Sequence, residues 1–296
     1  MVSESVLLSS LLHHWHLKGT QVTVHNGGMG SQTWFVDLGG VRWVAKAVAA
    51  RDGVQFAGGM AIAGRLEQLA IPAGAPVPAS DGRLVVPAGD DWLALLSWVP
   101  GHELTGEGST EQTLIGATLG HVHRALAGFT VENASRFHWV DPEAEYLSLR
   151  PWLRPAISSA LRDLDDAEPD GMVWGLLHSD PAPGAFRFDP FTGRCGVIDW
   201  SYAIDGPLLY DLASAVMYVG GRDRAQDLIQ AYLDVGALGV LGAAEVEHGL
   251  APMLRFRWAV QANYFAWRIS ENNLTGITGP EENEKGLEDA RQALAT

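Results

Sequence analysis

Alternation of apolar and polar residues dominates the first hundred positions, and helical spacing dominates the rest. Residues 20–48 read as strands and tight turns: TQVTV, the turn HNGGMGS, QTWFVDL, a Gly39-Gly40 hairpin turn, then VRWVAKAV. A helical stretch follows over about 53–69, then the Pro/Gly/Ala linker IPAGAPVPASDG. LVVP and WLALLSWV (92–99) predict two further strands, closed by Pro100-Gly101. Beyond that point apolar residues recur at helical period over 111–128, 143–165, 207–219, 222–235 and 244–271. The acid-rich DLDDAEPD (163–170) reads as a solvated loop between helices. The prediction is an α+β chain with a strand-rich part at 1–100 and a mainly helical part at 101–296.

One segment of the helical part breaks the pattern. From Leu177 the chain reads LHSDPAPGAFRFDPFTGRCGVIDW, a loop, strand, turn, strand and loop. Asp180 and Asp199 each fall just outside a strand, where side chains converge on ligands instead of packing into a core. Phosphoryl transfer needs one carboxylate beside the attacking hydroxyl and another near the metal of the nucleotide. Asp180 suits the first role and can accept the proton of a hydroxyl. Asp199 follows the apolar Val197-Ile198 and is expected to be rigidly held, as a metal ligand must be. His178, two residues before Asp180, is expected to prop the backbone of the loop. Asp211, near the start of an apolar helix opened by Gly206-Pro207, suits a cap or brace for that loop.

Two upstream features bear on the aspartates. Glycines 27, 28 and 30, with Asn26, Met29 and Ser31, lie between two predicted strands, where backbone N–H groups can approach phosphate. Such a cluster also suits an ordinary hairpin turn. Lys46 stands in the apolar run Val44-Ala45-Lys46-Ala47-Val48, where burial calls for an anionic partner. The next helix carries no acid in its first half, and Glu67 comes late.

Composition narrows the classes. With 296 residues and 47% hydrophobic content the chain can bury a large core. No stretch reaches the ~18 uninterrupted apolar residues of a membrane span. The N-terminus, with an acid early and no basic leader, argues against a signal peptide. The single cysteine, Cys195, rules out an internal disulfide, reads as a buried thiol and fits a cytoplasmic protein. A net charge of −15 repels nucleic acid and anionic membranes. That charge serves solubility or attracts a cationic second substrate.

In order, the chain presents a glycine hairpin, a strand lysine, a break after LLSWVPG, His123-Arg124-Ala125-Leu126, HSDPAPGA, GVIDW and GPLLYDLA. This resembles the aminoglycoside phosphotransferase and choline kinase family, small-molecule kinases with a bilobal, protein-kinase-like fold. The resemblance runs from about residue 20 to 270. It implies Asp180 as catalytic base, Asp199 as the Mg2+ ligand and Lys46 as the phosphate-contacting lysine. Residues 26–31, including Gly28, Gly30 and Ser31, would form the nucleotide loop for ATP or GTP, with Ser97, Trp98 and Val99 beside the nucleobase.

The acceptor would be a small molecule with a hydroxyl, such as a cationic antibiotic, bound by a monomer or homodimer. Tyr264, Trp267 and Glu271 are candidate acceptor contacts, with Glu281 and Glu282 as further acids. Trp139, Tyr146 and Trp152 could extend an aromatic wall. Three departures stand out: Ser179 for the usual glycine, Ala185 for the metal-binding asparagine, and no helix glutamate at its usual place. They leave open a pseudokinase that binds nucleotide without efficient catalysis.

Overall fold

A computed structural model describes residues 1–25, 28–132, 135–137 and 140–295, with only the backbone described at 135 and 136. The chain opens with α1 (Glu4–Trp15) and continues through β1 (Gln21–His25), β2 (Gln32–Leu38), β3 (Val41–Ala49), α2 (Gly53–Gln68), β4 (Val86–Ala88) and β5 (Asp91–Ser97). The five strands form one antiparallel sheet in the order β1-β2-β3-β5-β4. Gly39 and Gly40, both with positive φ, close the β2–β3 hairpin, a conformation that suits glycine at both positions. The alternation in β3 then has a plain outcome. Ala45 and Ala47 join Leu7 and Leu11 of α1 in a small core, while Lys46 takes the opposite face.

The helical lobe comprises β6 (His102–Glu103), α3 (Ser109–Ala125), β7 (Ser135–Arg136), α4 (Leu153–Asp166), β8 (Trp174–Leu177), β9 (Phe186–Asp189), β10 (Arg194–Val197), β11 (Ile204–Pro207), α5 (Leu209–Tyr218), α6 (Gln226–Val235), α7 (Gly242–Ser270) and α8 (Pro280–Leu294). The predicted hairpin is present as β9–β10, with β6 on its outer side. A second small sheet, β7-β11-β8, frames it. The larger core joins Phe56 and Met60 of α2 to Ile115 and Leu119 of α3, Leu209 and Leu212 of α5, and Met253 and Phe256 of α7. The result is an α+β molecule with a sheet-based N-lobe and a helical C-lobe.

Several elements differ from the reading of the sequence. The helix expected over 143–165 is split into a short 3₁₀ turn (Glu145–Leu149) and α4. Pro151 is the cause, because it forces Arg150 into extended backbone. The acid-rich run is only partly a loop: Asp163–Asp166 form the last turn of α4, and Asp163 pairs with Arg255 of α7. Two helices were not anticipated. Helix α1 is capped by Ser3, whose hydroxyl accepts the N–H of Val6. Helix α8 starts at Pro280 with Glu281 and Glu282 in its first turn. Among the described residues no helix is long and apolar enough to cross a membrane.

Candidate active site

Strand β8 and the β9–β10 hairpin place Asp180 and Asp199 at the mouth between the lobes. Both lie in loops bent by left-handed backbone. Ser179 and Asp199 each have φ of 74° although neither is glycine. Such a residue costs about 1–2 kcal/mol unless its surroundings compensate. Compensation at Ser179 is visible: its N–H donates to Asp211 Oδ1 at 2.8 Å, and its hydroxyl donates to the carbonyl of Tyr202 at 2.9 Å. The expected glycine is therefore replaced at a position that is left-handed.

Asp211 is fully buried in the first turn of α5, and its contacts hold the loop from behind. Oδ2 accepts the N–H of His178 at 2.7 Å and faces His123 Nε2 at 3.1 Å. His123 of α3 in turn meets the Tyr232 hydroxyl at 2.8 Å. His178 Nδ1 accepts the N–H of Asp180, so its proton sits on Nε2, which donates to the carbonyl of Ile198 at 2.8 Å. Its ring meets Trp200 edge-on at 4.8 Å. His178 thus ties the Asp180 loop to the Asp199 loop. Helix α2 presses on the same region because Gly59 lacks a side chain: a Cβ there would stand 1.7 Å from the Trp200 carbonyl.

Lys46, buried in the sheet, reaches across the lobes and donates to Asp199 Oδ1. Burial alone would raise the Asp199 carboxyl, but the Lys46 ammonium and its hydrogen bond outweigh that and hold it down to about 2. Glu67 does not take part. Its Oε1 accepts the N–H groups of Ala73 and Gly74, capping the linker after α2.

The glycine loop is tied to the helical lobe. The Gly30 carbonyl accepts the Tyr202 hydroxyl, and the Met29 carbonyl accepts Arg268 Nη1 at 2.9 Å. Ser31 is buried beside it, and Asn26 and Gly27 lie outside the described residues. Ser97 ends β5, and Trp98 and Val99 follow it where the chain passes between lobes, with Ser97 N–H donating to the carbonyl of Ala75. Arg42 and Arg187 stack over the Trp98 ring at 5.5 and 5.4 Å.

Asp180 faces the opposite wall. Its Oδ1 accepts from Arg257 Nη2 at 2.8 Å and from the Tyr218 hydroxyl at 2.5 Å. Arg257 is buried, and its Nε donates to Ser214 at 3.0 Å. Burial works against its charge, yet Tyr210, Tyr218 and the Asp180 carboxylate more than offset that, so Arg257 titrates above its ordinary range. Burial and then the Asp180 carboxylate push the Tyr218 hydroxyl up as well, which keeps it a donor. Two surface concavities, one bordered by Trp15 and Trp43 and the other by Leu233 and Leu238, lie outside this constellation.

The sequence pattern described as the phosphotransferase enzyme family matches residues 21–245. The chain belongs to the phosphotransferase enzyme family. Among characterised relatives, the homoserine kinase of Rhizobium johnstonii is 29% identical over 147 residues, which are 47% of this chain and 45% of that protein. That of Sinorhizobium fredii is 27% identical, over 47% and 44%. The chain thus spans less than half the length of the curated relatives it matches.

Solved structures share the fold. An amicoumacin kinase in complex with AMP-PNP, Ca2+ and Ami superposes with a TM-score of 0.76 at 17% identity, covering 99% of this chain and 93% of that one. A microcompartment-associated aminopropanol kinase gives 0.74 at 18% over 99% and 96%. A choline kinase from Streptococcus pneumoniae gives 0.69 at 15% over 99% and 98%.

Membership in the phosphotransferase family implies ATP as donor and usually Mg2+, and the donor set here can be tested for that ion. Asp199 offers a carboxylate held ionised, 48% exposed, with Oδ2 left free by Lys46. One carboxylate completed by phosphates and water is an ordinary Mg2+ environment. Ala185, at the end of a 3₁₀ turn (Pro183–Ala185), offers no side-chain donor for a second ion. Among the described residues no group of three or more His, Cys, Asp or Glu side chains is arranged to hold a metal ion by itself. The residues fit one Mg2+ held with the nucleotide.

The remaining predicted contacts lie on several elements. Tyr264 and Trp267 lie on α7, with ring centres 6.1 Å apart, and Arg51 stacks over Trp267. Glu271 is exposed just past the end of α7. Glu282 accepts from Thr278, and Glu281 opens α8 on the surface. Tyr146 donates to Asn263, while Trp139 lies outside the described residues. Arg257, Tyr218, Tyr202 and Arg268 escaped the reading of the sequence. A signal existed for two of them: Arg257, Tyr264 and Arg268 recur at the spacing of one face of α7.

Proposed function

We propose that this phosphotransferase moves the γ-phosphate of ATP or GTP directly to a hydroxyl of a small polar molecule. The observation that carries the reading is the Lys46–Asp199 pair facing Asp180, whose loop is braced by His178 and Asp211. In the transfer the acceptor oxygen bonds to the γ-phosphorus. The bond to the β–γ bridging oxygen breaks, and its electron pair leaves with the nucleoside diphosphate. Asp180 orients the acceptor hydroxyl and takes its proton. Lys46 holds the phosphates, and backbone N–H groups of Gly28, Gly30 and Ser31 approach them from above. Ser97 to Val99 flank the nucleobase. When bound through Asp199, Mg2+ neutralises charge on the phosphates.

Ala185 favours a second reading, a pseudokinase that binds nucleotide with little transfer. Thermal melting with ATP or GTP, with and without Mg2+, followed by ADP or GDP release over a panel of hydroxyl compounds, separates the two. A Mg2+-dependent rise in Tm with acceptor-dependent release supports the transferase. A rise in Tm with no release over the whole panel supports the pseudokinase, and neither signal rejects both.

A further inference from the structure

The wall opposite the nucleotide has an unexpected charge. Of the acids anticipated for it, Glu271 is exposed beyond the end of α7, and Glu281 and Glu282 belong to the first turn of α8; none is bonded to the Asp180 cluster among the described residues. What meets Asp180 instead is the guanidinium of Arg257. Two cations lie on the same face of α7. Arg268 is consumed by structure, donating to Asn283, Met29, Tyr264 and Thr275. Arg257 is not. Nε is bound to Ser214, and Nη2 to Asp180 and Tyr218, while Nη1 has no hydrogen-bond partner among the described residues. Its side chain is 8% exposed, whereas Asp180 beside it is 58% exposed. A nearly buried guanidinium fixed through Nε and Nη2, with Nη1 unbonded and an open carboxylate beside it, is a preorganised recogniser of a planar anion.

Resting on the phosphotransferase reading, we propose that the acceptor carries a carboxylate next to its hydroxyl-bearing carbon chain, and that Arg257 Nη1 binds it. The hydroxyl then falls to Asp180 and the Tyr218 hydroxyl borders the same site. Arg257 is on this view the residue that selects the acceptor. The site favours hydroxy acids and hydroxy amino acids over the polycationic compounds that an acidic wall would attract.

The test uses matched acceptors: glycerate, glycerol and aminopropanediol, and L-homoserine against its methyl ester. Initial rates of ADP or GDP release give kcat and KM for each. The expected result is a KM about ten- to a hundredfold lower for each carboxylate than for its neutral or cationic partner, the range of a hydrogen bond to a charged group. Arg257→Gln erases that preference with a smaller change in kcat, and Arg257→Lys restores part of it. Calorimetric titration of glycerate and L-homoserine into wild type and Arg257→Gln, in the presence of AMP-PNP and Mg2+, reads the same preference without turnover.

Preference for aminopropanediol, or equal KM across the series, overturns the proposal. So does a fall in kcat for every acceptor in Arg257→Gln that leaves the KM ratios between matched acceptors unchanged, which would confine the arginine to holding Asp180. If the variant does not fold, the wild-type series decides alone. If nothing is turned over, titration decides: carboxylate binding that Arg257→Gln leaves unchanged, or no binding, sinks the proposal. Lack of nucleotide binding in AMP-PNP titrations would instead sink the phosphotransferase reading.

Discussion

Asp211 and Asp180 belong to one loop assembly, yet their surroundings differ as far as two aspartates can. Asp211 has no exposed surface, and its oxygens are met by two backbone N–H groups and His123. Asp180 is more than half exposed, with contacts gathered on one oxygen and the other left free. A carboxylate satisfied on all sides by protein has no capacity for a substrate, so it serves to hold shape. One that keeps an open oxygen can still accept. Asp199 lies between these cases, paired on one oxygen and free on the other. The contrast shows how a fold spends a buried, fully bonded group so that an open one stays in place.

Asp211→Ala is the largest way to break the contrast. It removes the acceptor for both loop N–H groups and leaves His123 Nε2 without a partner, and loss of one partner in a buried pair costs about 3–5 kcal/mol. Urea unfolding should show a loss of that size, with Asp180→Ala changing stability by far less. Comparable losses for the two would erase the distinction.

Acid unfolding sharpens the position of Asp199. Its folded carboxyl is held at about 2 against an ordinary 3.8. The Lys46 pairing therefore stabilises the fold above 3.8, and that contribution fades as pH falls from there toward 2. The stability gap between wild type and Asp199→Asn should narrow across that window. A gap constant through it would mean that the pair does not tune this carboxyl.

The smallest effect concerns Ser179. Ser179→Ala keeps the left-handed backbone but loses the bond to Tyr202, and should cost about 1 kcal/mol. Ser179→Gly loses the same bond but relieves the backbone, and should be nearly neutral. Equal effects in the two variants would argue that the backbone there stores no strain.

Much of the fold was legible. Period-two alternation located β1 to β3 and β5, and helical spacing located α2, α3, α5, α6 and α7. What failed was local. Pro151 cut a helix that its apolar spacing alone could not divide, and the caps of α1 and α8 passed unnoticed although Ser3 and Pro280 marked them. The two aspartates, Lys46 and the loop histidine were readable because strand ends and short motifs carry them. The wall beside Asp180 was not. Arg257 lies 77 positions from Asp180, and only the packing of α7 against α5 brings them together.

The central claim is that Asp180 works on the acceptor while Lys46 and Asp199 hold the nucleotide. Its most direct test is Asp180→Asn, assayed for ADP or GDP release with L-homoserine and glycerate beside calorimetric binding of AMP-PNP with Mg2+. The account predicts nucleotide affinity close to wild type and a fall in kcat of about a hundredfold or more, the scale of a lost general base. Wild-type turnover in that variant would contradict it.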